Sequence, residues 1–104
     1  MKILFIGDIV GDCGRRMTLK TMRQLKEQHR FDMIIANGEN IAERNGISEA
    51  IYRELLLAGV DVVTMGNHTW DTREIYRFID DTDQLVRPAN YPLGTPGRLS
   101  LIHI

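Results

Sequence analysis

Three short apolar runs of β-forming residues, each followed by a polar motif, constrain the fold of this chain more than any other feature. The runs are Lys2–Ile6, Asp32–Ala36 and Asp61–Met65, and segments with helical periodicity separate them. Strands that alternate with helices predict βαβ units, because parallel neighbours need a crossover connection. We therefore predict an α/β fold in which a mostly parallel sheet is flanked by helices.

The segments between the runs predict three helices. The first is predicted over Arg15–His29, after a glycine-rich turn. The second begins after Ser48, whose hydroxyl suits an N-cap, and ends before Gly59, because glycine readily adopts the left-handed conformation of helix ends. The third is predicted to begin near Asp71 or Thr72.

The last part of the sequence has a different pattern. Val86–Gly97 contains all 3 prolines, which predicts an ordered loop rather than a helix. Leu99–Ile104 alternates apolar and polar residues and is predicted to be a strand. Because the sequence stops within that strand, we expect that part of the domain lies outside it.

Composition excludes several classes of protein. A formal net charge of −1 argues against an extended nucleic-acid footprint, which needs a basic surface. Cys13 is the single cysteine, as is typical of proteins in a reducing compartment. No segment approaches the roughly 20 apolar residues of a transmembrane helix, and the run ended by Asp8 is too short for a secretory signal. We expect a cytoplasmic protein without membrane association.

The polar motifs that follow the three runs predict a metal site. They are Gly7-Asp8, Asn37–Asn40 and Gly66–His68. The carboxyl ends of parallel strands open onto one crevice, so these motifs would gather carboxylates, carboxamides and an imidazole there. Oxygen and nitrogen ligands of this mixture suit manganese, iron or zinc. The sequence therefore predicts a metal-dependent hydrolase.

The spacing of residues in the sequence argues against two other kinds of site. The glycines Gly7, Gly11 and Gly14 depart from the G-x-G-x-x-G pattern of dinucleotide-binding turns. A cysteine-phosphatase loop would place arginine six residues after Cys13, and Leu19 stands there instead.

Asp71 has two interpretations. It is placed to accept a hydrogen bond from the His68 ring, as carboxylates do in catalytic pairs. It is equally placed to cap the third helix, with Glu74 completing an Asp-x-x-Glu capping box. The sequence favours the capping role, and the two roles are compatible.

Four motifs together resemble those of the YmdB-like metallophosphoesterases, a bacterial branch of the calcineurin-like superfamily. They are Lys2–Gly11, Asn37–Asn40, Gly66–Asp71 and Leu85–Asn90, and they occur in order along essentially the whole chain. The Asp-x-His motif usual in the superfamily is absent, because residue 10 is Val, and this favours the YmdB-like branch. The resemblance implies the N-terminal half of an α/β/β/α sandwich, within which residues 1–104 form a single partial domain.

The resemblance also implies roles for individual residues. Asp8 would bind the first of two divalent metal ions, Glu39 would bridge both, and Asn67 would bind the second. Asn40 would contact metal or phosphate, and His68 would act as the catalytic residue on the substrate. The implied activity is hydrolysis of small phosphodiesters such as 2′,3′-cyclic nucleotides, with iron, manganese or zinc as the metal.

In the family that the chain resembles, three further histidine ligands come from a C-terminal half that this sequence lacks. His103 matches none of them. We therefore expect the chain alone to be inactive or nearly so, and to form homo-oligomers that cover its exposed sheet. The alternative is a non-catalytic remnant or scaffold that keeps a phosphate or a metal without turnover.

Overall fold

The chain folds as alternating strands and helices, and the computed structural model describes residues 1–101. The strands are β1 (Ile3–Ile6), β2 (Met33–Asn37), β3 (Val62–Thr64) and β4 (Leu85–Val86). The helices are α1 (Gly11–Gln28), α2 (Glu49–Ala58) and α3 (Ile75–Phe78), and a 3-10 helix, Ile79–Asp81, extends α3. The predicted α/β class is confirmed.

All four strands form one parallel sheet in the order β1-β2-β3-β4. Phe5 lies opposite Ile35, and Ile35 in turn lies opposite Val62. Because the strands run in one direction, their carboxyl ends and the polar motifs that follow them lie at the same edge of the sheet. This edge carries the candidate site.

The two faces of the sheet differ sharply in exposure. Four side chains of the inner face are buried: Ile34, Ala36, Val63 and Leu85. Right-handed crossovers between successive neighbouring strands carry all the helices to one face, and this is that face. On the other face Phe5 is 61% and Ile3 50% exposed. Residues 1–101 thus form one helical layer on one sheet, and the other, apolar face of the sheet is open to solvent.

The ends of α2 form as the local sequence predicts. The Ser48 hydroxyl accepts a hydrogen bond from the Ile51 amide at 3.2 Å, so Ser48 is the N-cap. Gly59 ends the helix with a φ of 109°, in the left-handed region that favours glycine. The core beneath the helices includes Met22 of α1, Leu55 of α2 and Ile75 of α3.

The first helix begins earlier than predicted, at Gly11 rather than Arg15. The Gly11 amide donates to the Asn40 carbonyl at 2.9 Å, and its φ of 65° turns the chain directly into the helix. The second half of the glycine-rich segment, from Gly11 to Gly14, is therefore the first turn of α1 rather than a loop. None of the helices in the described part of the chain is long and apolar enough to cross a membrane.

The region after α3 also differs from the prediction. Leu85–Val86 pairs with β3 as a fourth strand that the sequence pattern did not indicate. Two residues are too few to show an alternating pattern. Within the predicted strand Leu99–Ile104, residues 99–101 have no strand structure, and the rest lies outside the described residues. Arg98, just before this segment, makes an isolated parallel bridge with Val86.

Candidate active site

The loops after β1 and β2 are joined at the carboxyl edge of the sheet. Asp8 is exposed directly after β1, and the Asn40 side-chain amide donates to its Oδ1 at 2.8 Å. The Asn40 carbonyl accepts from Gly11 at the start of α1. Asn40 therefore holds the Asp8 carboxylate in place through its side chain and the start of α1 through its backbone.

Asn37 orders the turn that presents Glu39. Its Oδ1 accepts from the Glu39 amide at 3.4 Å, and its Nδ2 lies 3.5 Å from Glu39 Oε1 and 3.4 Å from Thr64 Oγ1. The same side chain thus links the ends of β2 and β3. These contacts give the Asn-Gly-Glu-Asn segment a role beyond that of a turn, because they position Glu39.

The Glu39 carboxylate lies against the segment that follows β3. Its Oε2 accepts from the His68 backbone amide at 3.2 Å. A Cβ added at Gly66 would overlap both carboxylate oxygens. Glycine at position 66 leaves room for the Glu39 carboxylate, which a side chain there would displace.

His68 is held on both sides of its ring. Its Nδ1 lies 2.6 Å from Asp71 Oδ2, and its Nε2 lies 3.4 Å from Asn67 Nδ2. An ionised carboxylate only accepts hydrogen bonds, so the ring donates to Asp71 from Nδ1. With its nitrogen turned to His68, the Asn67 carboxamide keeps its oxygen available to a cation.

The predicted capping role of Asp71 is wrong. The residue before α3 is Glu74, which has helical dihedral angles and no side-chain cap, and α3 itself begins only at Ile75. The turn from Gly66 to Asp71 uses the residues that were expected to start the helix. Asp71 serves the other predicted role, as the hydrogen-bond partner of His68.

Sequence reasoning missed two residues that shape this edge. Thr69 is fully buried, and its backbone and hydroxyl both donate to the Gly66 carbonyl. Arg87 is 6% exposed and donates to the carbonyls of Pro88, Thr95 and Pro96. A threonine next to Gly-Asn-His was a weak signal for a tight turn. Nothing in the local sequence indicated that Arg87 would be buried.

The basic residues near the start of α1 are bound by carboxylates. Arg15 donates to both Glu54 oxygens, at 2.7 and 2.9 Å, and to Asp12 Oδ1. The hydrogen bond from Arg15 is the largest cause that lowers the pKa of Asp12. Arg16 also contacts Asp12, at 3.0 Å. The Arg15–Glu54 pair ties α1 to α2, whereas the contacts of Arg15 and Arg16 with Asp12 lie within α1.

Comparison with known proteins fits the geometry of this edge. The family model described as YmdB-like protein matches residues 4–103. The chain belongs to the YmdB-like family. It is 53% identical over 98 residues to a protein of Bacillus subtilis named 2′,3′-cyclic-nucleotide 2′-phosphodiesterase. That match covers 94% of this chain and 37% of the relative, so the chain spans little more than a third of that relative's length.

Two crystal structures are similar to this YmdB-like chain. One is a hypothetical protein from Thermus thermophilus, with a TM-score of 0.84 and 43% identity over 94% of this chain and 38% of that one. The other is described as a novel phosphatase from Mycoplasma pneumoniae, with a TM-score of 0.85 and 34% identity. It covers 94% of this chain and 36% of that one. The predicted fold and family are thus confirmed.

The donors of this YmdB-like chain fit a divalent cation in type but are few. Asp8 and Glu39 are carboxylates at neighbouring strand ends, and Asn40 and Asn67 are carboxamides beside them. Such oxygen ligands suit hard or borderline metal ions. Within residues 1–101, however, no group of three or more His, Cys, Asp and Glu side chains could hold a metal ion. The described residues therefore gather oxygen donors at this edge without a complete set of ligands for a metal ion.

Proposed function

We propose that this chain carries the oxygen-ligand part of a metal-dependent phosphodiesterase site. The observation that supports this most directly is the joining of three strand ends by side-chain contacts. Asn40 binds the Asp8 carboxylate, and the Glu39 carboxylate binds the His68 backbone amide. Two carboxylates and an imidazole oriented by a carboxylate are the groups that metal-assisted hydrolysis requires.

In this proposal four residues hold two divalent ions, iron, manganese or zinc. Asp8 binds one ion, Glu39 bridges both, Asn67 binds the other and Asn40 contacts either metal or phosphate. When bound, such a pair of ions activates water and stabilises the charge that develops in phosphoryl transfer. The hydrogen bonds from Asn37 and His68 fix the Glu39 carboxylate before any ligand arrives.

His68 is the proposed catalytic residue. The Asp71 carboxylate fixes the ring through Nδ1, so that Nε2 is the nitrogen left for the substrate. As an imidazolium, His68 donates a proton from Nε2 to the leaving oxygen, a general-acid role that typically contributes about 10²–10⁴ in rate.

The proposed substrates are small phosphodiesters such as 2′,3′-cyclic nucleotides. The name of the Bacillus subtilis relative supports this class, as does the formal net charge of −1, which does not suit a long nucleic acid. The proposed location is the cytoplasm.

A second candidate is a module that binds a metal or phosphate without turnover. The small number of carboxylate and histidine ligands in the described part of the chain favours it. We accordingly expect the isolated chain to bind divalent ions weakly and to hydrolyse little. Sequencing the gene beyond codon 104 separates the two candidates. A downstream Gly-His-x-His motif supports the enzyme, whereas a stop codon supports the binding module.

Paramagnetic NMR tests the proposed metal ligands without relying on turnover. Manganese added to the ¹⁵N-labelled chain is expected to broaden the amide signals of residues 8, 37–40 and 66–68 first. Glu39→Gln should abolish this selective broadening, and Glu27→Gln, at an exposed position of α1, should preserve it. Broadening elsewhere, or broadening that survives Glu39→Gln, would contradict the proposed site.

Hydrolysis of 2′,3′-cyclic AMP, followed by chromatography of the products, completes the test. We expect little turnover from the chain alone. Two tightly bound ions per chain with ordinary turnover would show that these few ligands suffice, or that a second copy supplies the missing ones. Sedimentation of the same sample distinguishes those two outcomes.

A further inference from the structure

Three aromatic side chains form a cluster beside the candidate active site. The Trp70 ring stacks on Tyr76 with centroids 5.2 Å apart, and Tyr91 meets Trp70 edge-on at 5.8 Å. They come from three different segments: the turn after β3, helix α3 and the loop after β4. Together with Thr95 and Pro96 they line an open cleft of about 200 Å³.

Trp70 packs partly against the core, but core packing does not account for the rest of this cluster. The core side of α3 and its extension consists of Ile75, Phe78 and Ile79, each at most 3% exposed. Tyr76 points away from them and is 56% exposed. A single exposed aromatic residue is ordinary, but three in contact around an open cleft form a patch that needs an explanation.

The cleft lies at the same edge of the sheet as the proposed metal ligands. Trp70 follows His68 by two residues, a backbone span of at most about 7 Å. Both residues belong to the turn closed by the hydrogen bond from the Asp71 amide to the His68 carbonyl at 3.3 Å. Tyr91 enters from the loop after β4, which pairs in parallel with β3. A ligand that reaches His68 is therefore near the cleft.

The loop that carries Tyr91 is held in place before any ligand binds. The buried Arg87 guanidinium donates to three carbonyls at both ends of the loop. The Gly97 amide donates to Asp80 Oδ1 at 2.9 Å and anchors the loop to the 3-10 helix. A prearranged loop lowers the entropic cost of ordering a binding surface.

The chemistry of the lining selects a flat, uncharged group. None of its five side chains is charged, so the phosphate of a substrate gains nothing there. Aromatic faces instead stack on nucleobases, with little preference among them because every base has a π-face. Hydrogen-bonding groups in the cleft are few, and the Thr95 hydroxyl already donates to the Pro92 carbonyl.

We propose that this cleft is a stacking subsite for the nucleobase of a nucleotide ligand. The proposal rests on the proposed function, in which the phosphodiester lies at the metal ligands and His68. The subsite makes the protein favour nucleotides over phosphodiesters that lack a base, with weak discrimination among bases.

Intrinsic fluorescence tests this directly, because Trp70 is the single tryptophan of the chain. Adenosine, which has a base and no phosphate, is expected to change Trp70 emission saturably in the absence of metal. Ribose 5-phosphate, which has a phosphate and no base, should leave it unchanged. Tyr91→Ala should weaken adenosine binding about 10-fold, as expected for the loss of one stacking contact. Tyr91→Phe should bind like the unmodified chain.

Leu93→Ala is the matched control, since Leu93 lies in the same loop and is fully exposed. If circular dichroism shows that Tyr91→Ala misfolds, the comparison of Tyr91→Phe with Tyr91→Leu answers the same question. An unchanged Trp70 signal with adenosine, or equal affinities with and without an aromatic ring at position 91, would overturn the subsite.

This experiment separates the subsite from the proposed function. Adenosine binding requires neither metal nor hydrolysis, so its absence leaves the proposed metal ligands unaffected. Conversely, adenosine binding together with manganese broadening that survives Glu39→Gln would support the subsite and contradict the metal site.

Discussion

The carboxylate of Glu39 occupies the space above Gly66 that a side chain would otherwise fill. The two residues lie at the ends of neighbouring parallel strands, and the His68 amide holds the carboxylate from the same turn. The free space above Gly66 and the hydrogen bond from the His68 amide together determine the position of Glu39, the proposed bridging ligand.

Gly66→Ala is expected to abolish manganese-induced broadening at the strand ends while the chain stays folded. The added methyl group overlaps both oxygens of Glu39, so the carboxylate must rotate away from its position. NMR with manganese measures the effect. Gly14→Ala is the matched control, because a Cβ at Gly14 meets its nearest neighbour at an ordinary 3.4 Å. Manganese binding that is unchanged in Gly66→Ala would contradict this account.

Asp71→Asn is expected to change the dominant tautomer of His68. The carboxylate enforces a proton on Nδ1, whereas an asparagine amide can donate to that nitrogen instead. Ring ¹⁵N shifts report the tautomer, and a His68→Gln variant assigns the signals. Any turnover of an active assembly should fall by less than the roughly 10²–10⁴ expected for loss of the acid itself. An unaltered ring spectrum would show that Asp71 does not orient His68.

Arg87→Met is expected to lower the free energy of unfolding by about 3 kcal/mol, because it leaves three carbonyls without their charged donor. The loop should loosen, and Trp70 emission should shift as Tyr91 moves. Chemical denaturation measures the stability. Arg73→Met, at an exposed position, should change it by less than about 0.5 kcal/mol.

Phe5→Lys is expected to weaken the predicted self-association of the chain. Phe5 is 61% exposed on the open face of the sheet, where a charge opposes apolar contact between copies. Sedimentation at several concentrations measures the change. Leu57→Lys replaces a residue that is 90% exposed on the helical side and should leave association unchanged. A monomeric unmodified chain at all concentrations would refute the prediction of homo-oligomers.

Tyr52→Phe is expected to change the alkaline stability profile. Burial, and then the nearby Asp83 charge, raise the pKa of Tyr52 above its ordinary value of 10.0. A raised pKa in the folded state stabilises the fold below pH 10, and this stabilisation is lost as pH rises through the folded-state pKa. The stability advantage of the unmodified chain over Tyr52→Phe should therefore decline above about pH 10. Denaturation across that range measures it, with Tyr76→Phe as an exposed control.

Whether a feature was predicted depended on how far along the chain the residues that determine it lie. Ser48 and Gly59 were predicted as helix ends because a cap depends on residues within one turn. Asp71 was predicted to cap α3 by the same local rule, and the rule failed because His68 competes for its carboxylate. The strand Leu85–Val86 escaped prediction because its pairing with β3, rather than its own pattern, defines it.

The sequence by itself determined the order of the first three strands and the helices, and it brought Asp8, Glu39, Asn40, Asn67 and His68 to one edge of the sheet. Periodicity and chain direction suffice for that, since parallel strands necessarily share an end. Only the tertiary structure decided that Glu39 lies over Gly66, that Arg87 is buried among carbonyls, and that one sheet face stays open. Those features depend on contacts between distant segments, whose partners are set by strand order and packing.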